Sequence, residues 1–330
     1  MIKKNFYHSF SILGVEVGII SNYQSILNYD EYFLDKGSHL HSLLSNFNRL
    51  EEIPFLLNHD FYLYLINIKG FPLEVEIGLR NIYFSGDILS LEREALDKRK
   101  SIFGNMGLFS KLYLRYLEKK GIFSFHSTAM YSPTKKILYL VLGGSGSGKS
   151  TVLLAGLEKG LEVFGTELVH FRLKDKNVIF YKGSIAMNCR KENLIEDFPK
   201  LIDKFNLKNL HKAKMQDIYL PLDMSSAQTE NNIFKNPKIV LIFPRIEKFR
   251  QKVIISKVNT LDIQNLIFDN LCQKISPVSI LYNKYFVPSI DDKEAQLFRM
   301  EMARQFCQKA DIQSSWNVLA SPQNCLDKIL

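Results

Sequence analysis

Nine consecutive residues constrain the fold of this chain more than any others. They are Gly143, Gly144, Ser145, Gly146, Ser147, Gly148, Lys149, Ser150 and Thr151. Together they satisfy G-x-x-x-x-G-K-[ST] at every fixed position, a pattern that carries meaning only between a buried strand and a helix. Residues 137–142 are a wholly apolar run, and 151–159 form a helix-favouring run ending at Gly160, so strand, loop and helix follow in order. Glycines let the backbone wrap with its N–H groups turned inward towards phosphate oxygens. The helix behind the loop adds the positive end of its dipole. In such a phosphate loop Lys149 bridges the β- and γ-phosphates and the Ser150 hydroxyl ligates Mg²⁺. The competing reading, a Gly/Ser-rich turn with a chance Gly-Lys-Ser, does not account for the ordered context.

A phosphate loop implies nucleotide binding but no particular reaction. The later apolar run 238–243 ends in Pro244 and Arg245, where many nucleotide hydrolases place a magnesium-holding aspartate. The stretch Asn283, Lys284, Tyr285, Phe286 lacks the acid of a guanine-reading motif, and no LSGGQ occurs. Motor, transporter and GTPase classes therefore lose ground. One acid does return at short range: Glu167 follows Lys149 by 18 residues, one helix and one strand later. In an open α/β sheet that spacing brings the strand end back beside the loop. Glu167 is then either a proton acceptor or metal-side carboxylate, or an exposed residue at a strand end. His126, ahead of the apolar strand, is either a histidine satisfied inside the sheet or an active-site group. Arg245 is either a surface residue or a phosphate- or acceptor-binding cation.

The chain of 330 residues has room for two domains. Residues 1 to about 95 are strand-like, with aromatic and β-branched runs at 10–20, 61–68, 73–79 and 82–84. A charged stretch at 91–100 reads as a solvated helix or linker, placing a boundary near residue 100. A helix is predicted at 107–120, with Leu108, Leu112, Tyr116 and Leu117 on one face and Gly121 at its C-terminal cap. Further strands are expected at 122–125, 161–164, 177–181, 238–243 and 252–256, and helices from Thr260 to about 271 and from 291 to about 309. Residues 223–236 read as a loop.

The net charge of +9 points to an anionic partner without naming it. Basic residues gather at Lys204, Lys208, His211, Lys212 and Lys214, and again at Arg245, Lys248, Arg250, Lys252 and Lys257. They form solvated faces or meet an acidic acceptor. Aromatics are sparse among them, Phe249 being the one inside the second cluster, which argues against nucleic acid. The apolar run 137–142 falls far short of the roughly 20 residues that span a bilayer, and no cleavage site follows the apolar N-terminal residues, so neither a membrane span nor a signal peptide is expected. The four cysteines, at 189, 272, 307 and 325, match no zinc or CxxC spacing and read as buried thiols of a cytoplasmic protein. His39 and His41 lack a third ligand nearby.

Three segments, in order, resemble the HPr kinase-like family of P-loop kinases, which is related in fold to phosphoenolpyruvate carboxykinase. The first is Phe125, His126, Ser127, Thr128, Ala129. The second is the loop 143–151. The third runs from Lys159-Gly160-Leu161 through Thr166-Glu167-Leu168-Val169. Motif support covers about residues 105–275. The resemblance implies an α/β P-loop kinase core at 101–330 with a smaller, mostly-β (α+β) N-terminal domain at 1–100 for recognition or assembly. It implies that Glu167 is the general base, that His126 lies near the transferred phosphoryl group, and that Lys149 and Ser150 serve phosphate and metal. ATP and Mg²⁺ follow as cofactors. The acceptor is a hydroxyl on a peptide or small molecule, such as a serine, and homo-oligomerisation is compatible with the layout. Two departures stand out. Thr166 replaces an acid common in the family, and the downstream acid-containing signature of true HPr kinase/phosphorylases is not recognisable at 182–191. A non-enzymatic ATP-gated module and a plain ATPase remain alternatives.

Overall fold

The computed structural model describes residues 5–24, 51–56, 58–207 and 219–330. His39, His41, Lys208, His211, Lys212 and Lys214 lie outside them. Contacts divide the chain into two units: residues 1–120 with 275–292, and residues 121–274 with 293–330. The first unit thus takes in the helix after residue 100 and a short later segment, both of which the sequence reading grouped with the second.

In the first unit, β1 (Phe6–Ile12), β2 (Val15–Ser21), β3 (Glu51–Glu52), β4 (Phe61–Asn67), β5 (Glu74–Ile77) and β6 (Asn81–Gly86) form one six-stranded sheet in the order β3-β1-β2-β4-β6-β5. It is mixed: β2, β4 and β6 run parallel, and the other pairings are antiparallel. Alternation in β4 buries Phe61, Leu63 and Leu65 and leaves Tyr62 and Tyr64 half-exposed, as one covered face requires. The charged stretch resolves into α1 (Ile88–Glu94), capped by Asp87, and a single 3₁₀ turn, Lys98–Lys100. In α2 (Leu108–Lys119) the apolar face includes Tyr113 and Tyr116. Tyr116 stacks on Phe61 at 4.4 Å, and the Tyr113 hydroxyl donates to the Phe10 carbonyl at 3.1 Å. Gly121 has φ +75°, the left-handed cap expected of it.

The second unit is built on a nine-stranded mixed sheet. Its strands are β7 (Ile122–Ser132), β8 (Ile137–Leu142), β9 (Glu162–Gly165), β10 (Leu168–Lys174) and β11 (Asn177–Tyr181). After a separate hairpin of β12 (Ala186–Arg190) with β13 (Tyr219–Asp223), the sheet resumes with β14 (Ile233–Lys235), β15 (Lys238–Ile246) and β16 (Ile254–Lys257). A short hairpin, β17 (Ser279–Leu281) with β18 (Tyr285–Val287), belongs to the first unit, and β19 (Asp311–Ala320) completes the second unit's sheet. The order is β14-β11-β10-β7-β8-β15-β19-β16, with β9 also on β7.

Strands β8, β15 and β19 are parallel neighbours. The first two are buried on both faces, which is why they read as continuous apolar runs. Leu138, Leu140, Leu142, Ile239 and Leu241 pack to one side with α5 (Thr260–Cys272) and α6 (Lys293–Lys309). Tyr139, Val141, Val240 and Ile242 pack to the other with α3 (Lys149–Glu158) and α4 (Lys200–Lys204). Each helix thus covers one face of a sheet between two helical layers.

Several boundaries differ from the sequence reading for local reasons. Pairing with β19 carries β15 on through Pro244 and Arg245 to Ile246. Strand β7 continues past His126 because β8 and β9 pair with its second half. Helix α5 begins at Thr260 as expected and is capped by Asn259, whose side chain accepts from the Asp262 N–H at 2.8 Å. The stretch 223–236 contains β14. Among the described residues no helix is long and apolar enough to cross a membrane.

Candidate functional site

The loop 143–148 leaves the C-terminal end of β8 and turns into α3. Gly146 (φ +79°) and Gly148 (φ +100°) take left-handed backbone that an L side chain resists. A Cβ on Gly148 would also stand 2.3 Å from the Ile246 side chain. Strand β15 braces the loop directly, the Ile246 N–H donating to the Ser147 carbonyl at 3.1 Å. Residues 144–146 are exposed, while Lys149 is buried. Its ammonium donates to the Gly143 and Gly144 carbonyls at 2.8 and 3.0 Å. Burial pulls the Lys149 ammonium down to about 8, and the nearby Glu167 carboxylate partly offsets this. The Ser147 hydroxyl is buried and has no hydrogen-bond partner among the described residues. Ser150 is half-buried, and Thr151 accepts from the Asn193 amide at 3.4 Å.

Glu167 is placed by an interruption in a strand. β9 and β10 both run antiparallel along the same edge of β7, opposite the edge that carries β8. Between them, Thr166 and Glu167 break the ladder. Thr166 is buried, its hydroxyl within 2.6–3.1 Å of Ser184 and the Ala186 carbonyl, and the Ser127 N–H donates to the Glu167 carbonyl at 3.1 Å. Both β8 and β9 are antiparallel to β7, so their C-terminal ends lie at one end of the sheet, with β7 between them. Glu167 and the loop therefore share that end, as the 18-residue spacing predicts. Thr166, where an acid was expected by resemblance, anchors the break instead.

His126 stands on β7 opposite Leu168. Its ring reaches two groups: Nδ1 lies 2.7 Å from Gln273 Oε1, and Nε2 lies 3.1 Å from Glu167 Oε1. A neutral imidazole has one N–H, so it cannot donate to two acceptors. With Glu167 ionised, either the ring is cationic or the Gln273 amide presents its NH₂. Burial lowers the His126 pKa while the hydrogen bond to Glu167 raises it, with a net fall. That favours a neutral ring donating Nε2–H to Glu167 and accepting from Gln273.

Glu167 Oε1 also receives the Lys274 ammonium at 2.6 Å. Burial pushes the carboxyl up, but the Lys274 charge and the His126 hydrogen bond outweigh it and hold Glu167 well below the usual carboxylate range. Its side chain is about a third exposed, at 33%.

Three members of this group were not foreseen: Asn270, in the last turn of α5, and Gln273 and Lys274, which follow its last residue. Asn270 does a strand's work. The pairing of β7 with β8 stops at Ser127 and Leu142, because the chain then enters the loop. His126 is thus left with a backbone N–H and C=O facing no strand, and the Asn270 amide accepts from the first at 2.9 Å and donates to the second at 3.0 Å. The sequence signal lies in spacing: Ile263, Ile267, Asn270 and Lys274 follow a helical 4-3-4 pattern, so two polar residues occupy the register of an apolar stripe. Asn270→Ala should strand both groups in a buried site and cost about 2–4 kcal/mol. Chemical denaturation should show the loss, and amide hydrogen exchange at His126 should accelerate more than in β15.

Arg245 is 80% exposed and paired with Glu247 at 3.0 Å. Nearby Arg250 also reaches Glu247, and Lys248 reaches Glu196, so three of the five cations in that basic cluster carry carboxylate partners.

No family model matches this chain, and no curated protein matches it. Among solved structures, the HPr(Ser) kinase/phosphatase from Coxiella burnetii is similar at 15% identity, over 56% of this chain and 97% of that one, with a TM-score of 0.21. What the site can do rests on its own geometry.

Proposed function

We propose that the chain is an ATP- and Mg²⁺-dependent kinase that transfers the γ-phosphoryl group to a hydroxyl of a peptide, protein or small molecule. The observation that supports it most is the gathering of the loop 143–151, a carboxylate and a histidine at one end of a sheet, where the Glu167 carboxylate partly offsets the burial that pulls the Lys149 ammonium down. A nucleotide fits the loop's features: left-handed glycines, a buried Ser147 hydroxyl with no partner among the described residues, and a lysine resting on two loop carbonyls. Phosphate oxygens offer Lys149 stronger, charge-assisted acceptors than those carbonyls. The Ser150 hydroxyl is a hard oxygen donor suited to Mg²⁺, whose remaining ligands would be phosphate oxygens and water. Bound there, the metal would neutralise phosphate charge.

Transfer then needs a positioned acceptor and a proton acceptor. The acceptor oxygen bonds to the γ-phosphorus as the bond from that phosphorus to the bridging oxygen breaks, and ADP leaves with the electron pair. The hydroxyl proton passes to Glu167. His126 holds that carboxylate through Nε2–H. Lys149 stabilises charge on the transferred group. The positive balance of the chain favours an anionic acceptor, and four free cysteines suit a cytoplasmic enzyme.

The direct test offers γ-³²P-ATP and Mg²⁺ together with hydroxyl compounds and serine peptides. At least one acceptor should become labelled, and EDTA should abolish the label until Mg²⁺ is restored. If ATP binds but no acceptor is labelled, the alternative is an ATP-gated binding module. If phosphate is released at one rate with or without every acceptor, it is an ATPase.

A further inference from the structure

Lys274 lies in none of the motifs, yet it makes the shortest contact to Glu167. A base works best with a pKa near the working pH, and an ammonium 2.6 Å from the carboxylate weakens it as a base. The pair contributes to stability, but stability alone does not require a cation on the very carboxylate that takes the proton. The Lys274 side chain is 23% exposed, so a ligand can reach it.

The geometry gives it a second use. Both Lys274 and His126 contact Oε1 of Glu167, and Oε2 takes part in neither contact. An acceptor hydroxyl can therefore approach Oε2 while Oε1 stays held. Lys274 sits on the other oxygen of the same carboxylate, so a group carried near that hydroxyl is within reach of its flexible ammonium. An anionic substituent on the carbon bearing that hydroxyl or on its neighbour would meet Lys274 and share it with Glu167, relieving the carboxylate of part of the charge that weakens it. The γ-phosphate has its own cation in Lys149 and its own amides in the loop, so Lys274 is left for the acceptor.

We propose that Lys274 is the acceptor-specificity residue: it binds a carboxylate or phosphate close to the acceptor hydroxyl and, in doing so, loosens its hold on Glu167 so that only an anionic acceptor meets an effective base. This rests on the kinase reading and names the substrate class of that same site.

The test measures binding, so it is independent of turnover. The full chain, saturated with Mg²⁺ and the non-hydrolysable analogue AMP-PNP, is titrated with matched pairs: D-glycerate against glycerol, L-serine against L-serinamide, and a serine peptide with Asp beside the serine against its Asn counterpart. Wild type should bind the anionic member of at least one pair about tenfold or more tightly, as expected for a charge-assisted contact. K274M should bring that ratio near one with AMP-PNP affinity unchanged, and K274R should restore much of it. K274Q replaces K274M if the latter does not fold. Three results would overturn the proposal: no charge preference in any wild-type pair, a preference that survives loss of the Lys274 charge, or a K274M variant that loses AMP-PNP affinity instead of acceptor preference. The last result would assign Lys274 to the nucleotide. Failure of the labelling experiment under Proposed function would remove the kinase reading while leaving these binding ratios readable.

Discussion

Lys149→Met is expected to lower phosphoryl transfer by at least about a thousandfold, the scale on which loss of a charged transition-state donor is felt, and to remove the stabilisation of the fold by ATP. The unliganded protein should not suffer in proportion. Lys149 is buried, and its ammonium is pulled down to about 8 by desolvation. Its hydrogen bonds to Gly143 and Gly144 run to neutral carbonyls that offer less than water does. The folded state therefore bears a charge it would rather release, and a shift of that size corresponds to about 3 kcal/mol. Methionine removes the charge and keeps most of the volume, so the melting temperature of the empty variant should equal or exceed that of wild type. Wild type should gain several degrees with saturating ATP and Mg²⁺, since a ligand stabilises the state it binds, and the variant should gain none. A variant that melts well below wild type would mean that Lys149 is structural. A variant that still shifts with ATP would place the nucleotide elsewhere.

The same residue shows why part of this site is legible from sequence. The loop is contiguous, so its glycines, lysine and hydroxyl can be recognised from nine letters. The position of Glu167 follows from adding one helix and one strand, a local count that the antiparallel edge of β7 preserves even though the sheet is mixed. Asn270, Gln273 and Lys274 come from more than a hundred residues later, and what brings them in is the packing of α5 across the sheet beside β7. Only their place in an apolar stripe hints at it. Thr166 was judged by what it lacks, an acid, and its hydroxyl turns out to fix the break that presents Glu167. The boundary near residue 100 relied on a run of charges. Contacts instead join α2 to the first unit, because its aromatic face packs on Phe61. Composition marks where a chain is polar; domain membership depends on which apolar faces meet.

Asn270 ties the fold to the site. The loop 143–148 leaves the sheet, and the departure exposes the backbone of the neighbouring strand. Here that strand carries His126. A side-chain amide on α5 closes the gap, and the turn that follows the helix places Gln273 on the imidazole and Lys274 on Glu167. The groups that would move the proton are therefore held by one helix end, while the groups that would hold phosphate belong to the loop and α3. A defect in α5 should thus damage transfer while sparing nucleotide binding.

Glu167→Gln isolates the chemistry within that division. It keeps shape and hydrogen-bonding capacity but cannot accept a proton. Transfer should fall about 10²–10⁴-fold, the usual contribution of a general base, while the ATP-induced rise in melting temperature persists. Stability should respond in a pH-dependent way. The folded-state pKa of Glu167 is depressed from its ordinary value of 4.5, chiefly by Lys274 and His126 against the upward push of burial. The carboxylate therefore contributes stability above about pH 4.5, and this is lost as pH falls below that value. Wild type should be the more stable protein at pH 7, where the glutamine variant leaves the Lys274 ammonium without its counter-charge, and the gap between their melting temperatures should narrow steadily below pH 4.5. A gap that stays constant down to pH 3 would mean that Glu167 is not held as an ion. A variant that transfers phosphate at the wild-type rate would assign the proton to another group, and His126, hydrogen-bonded to the same oxygen, would be the first to test.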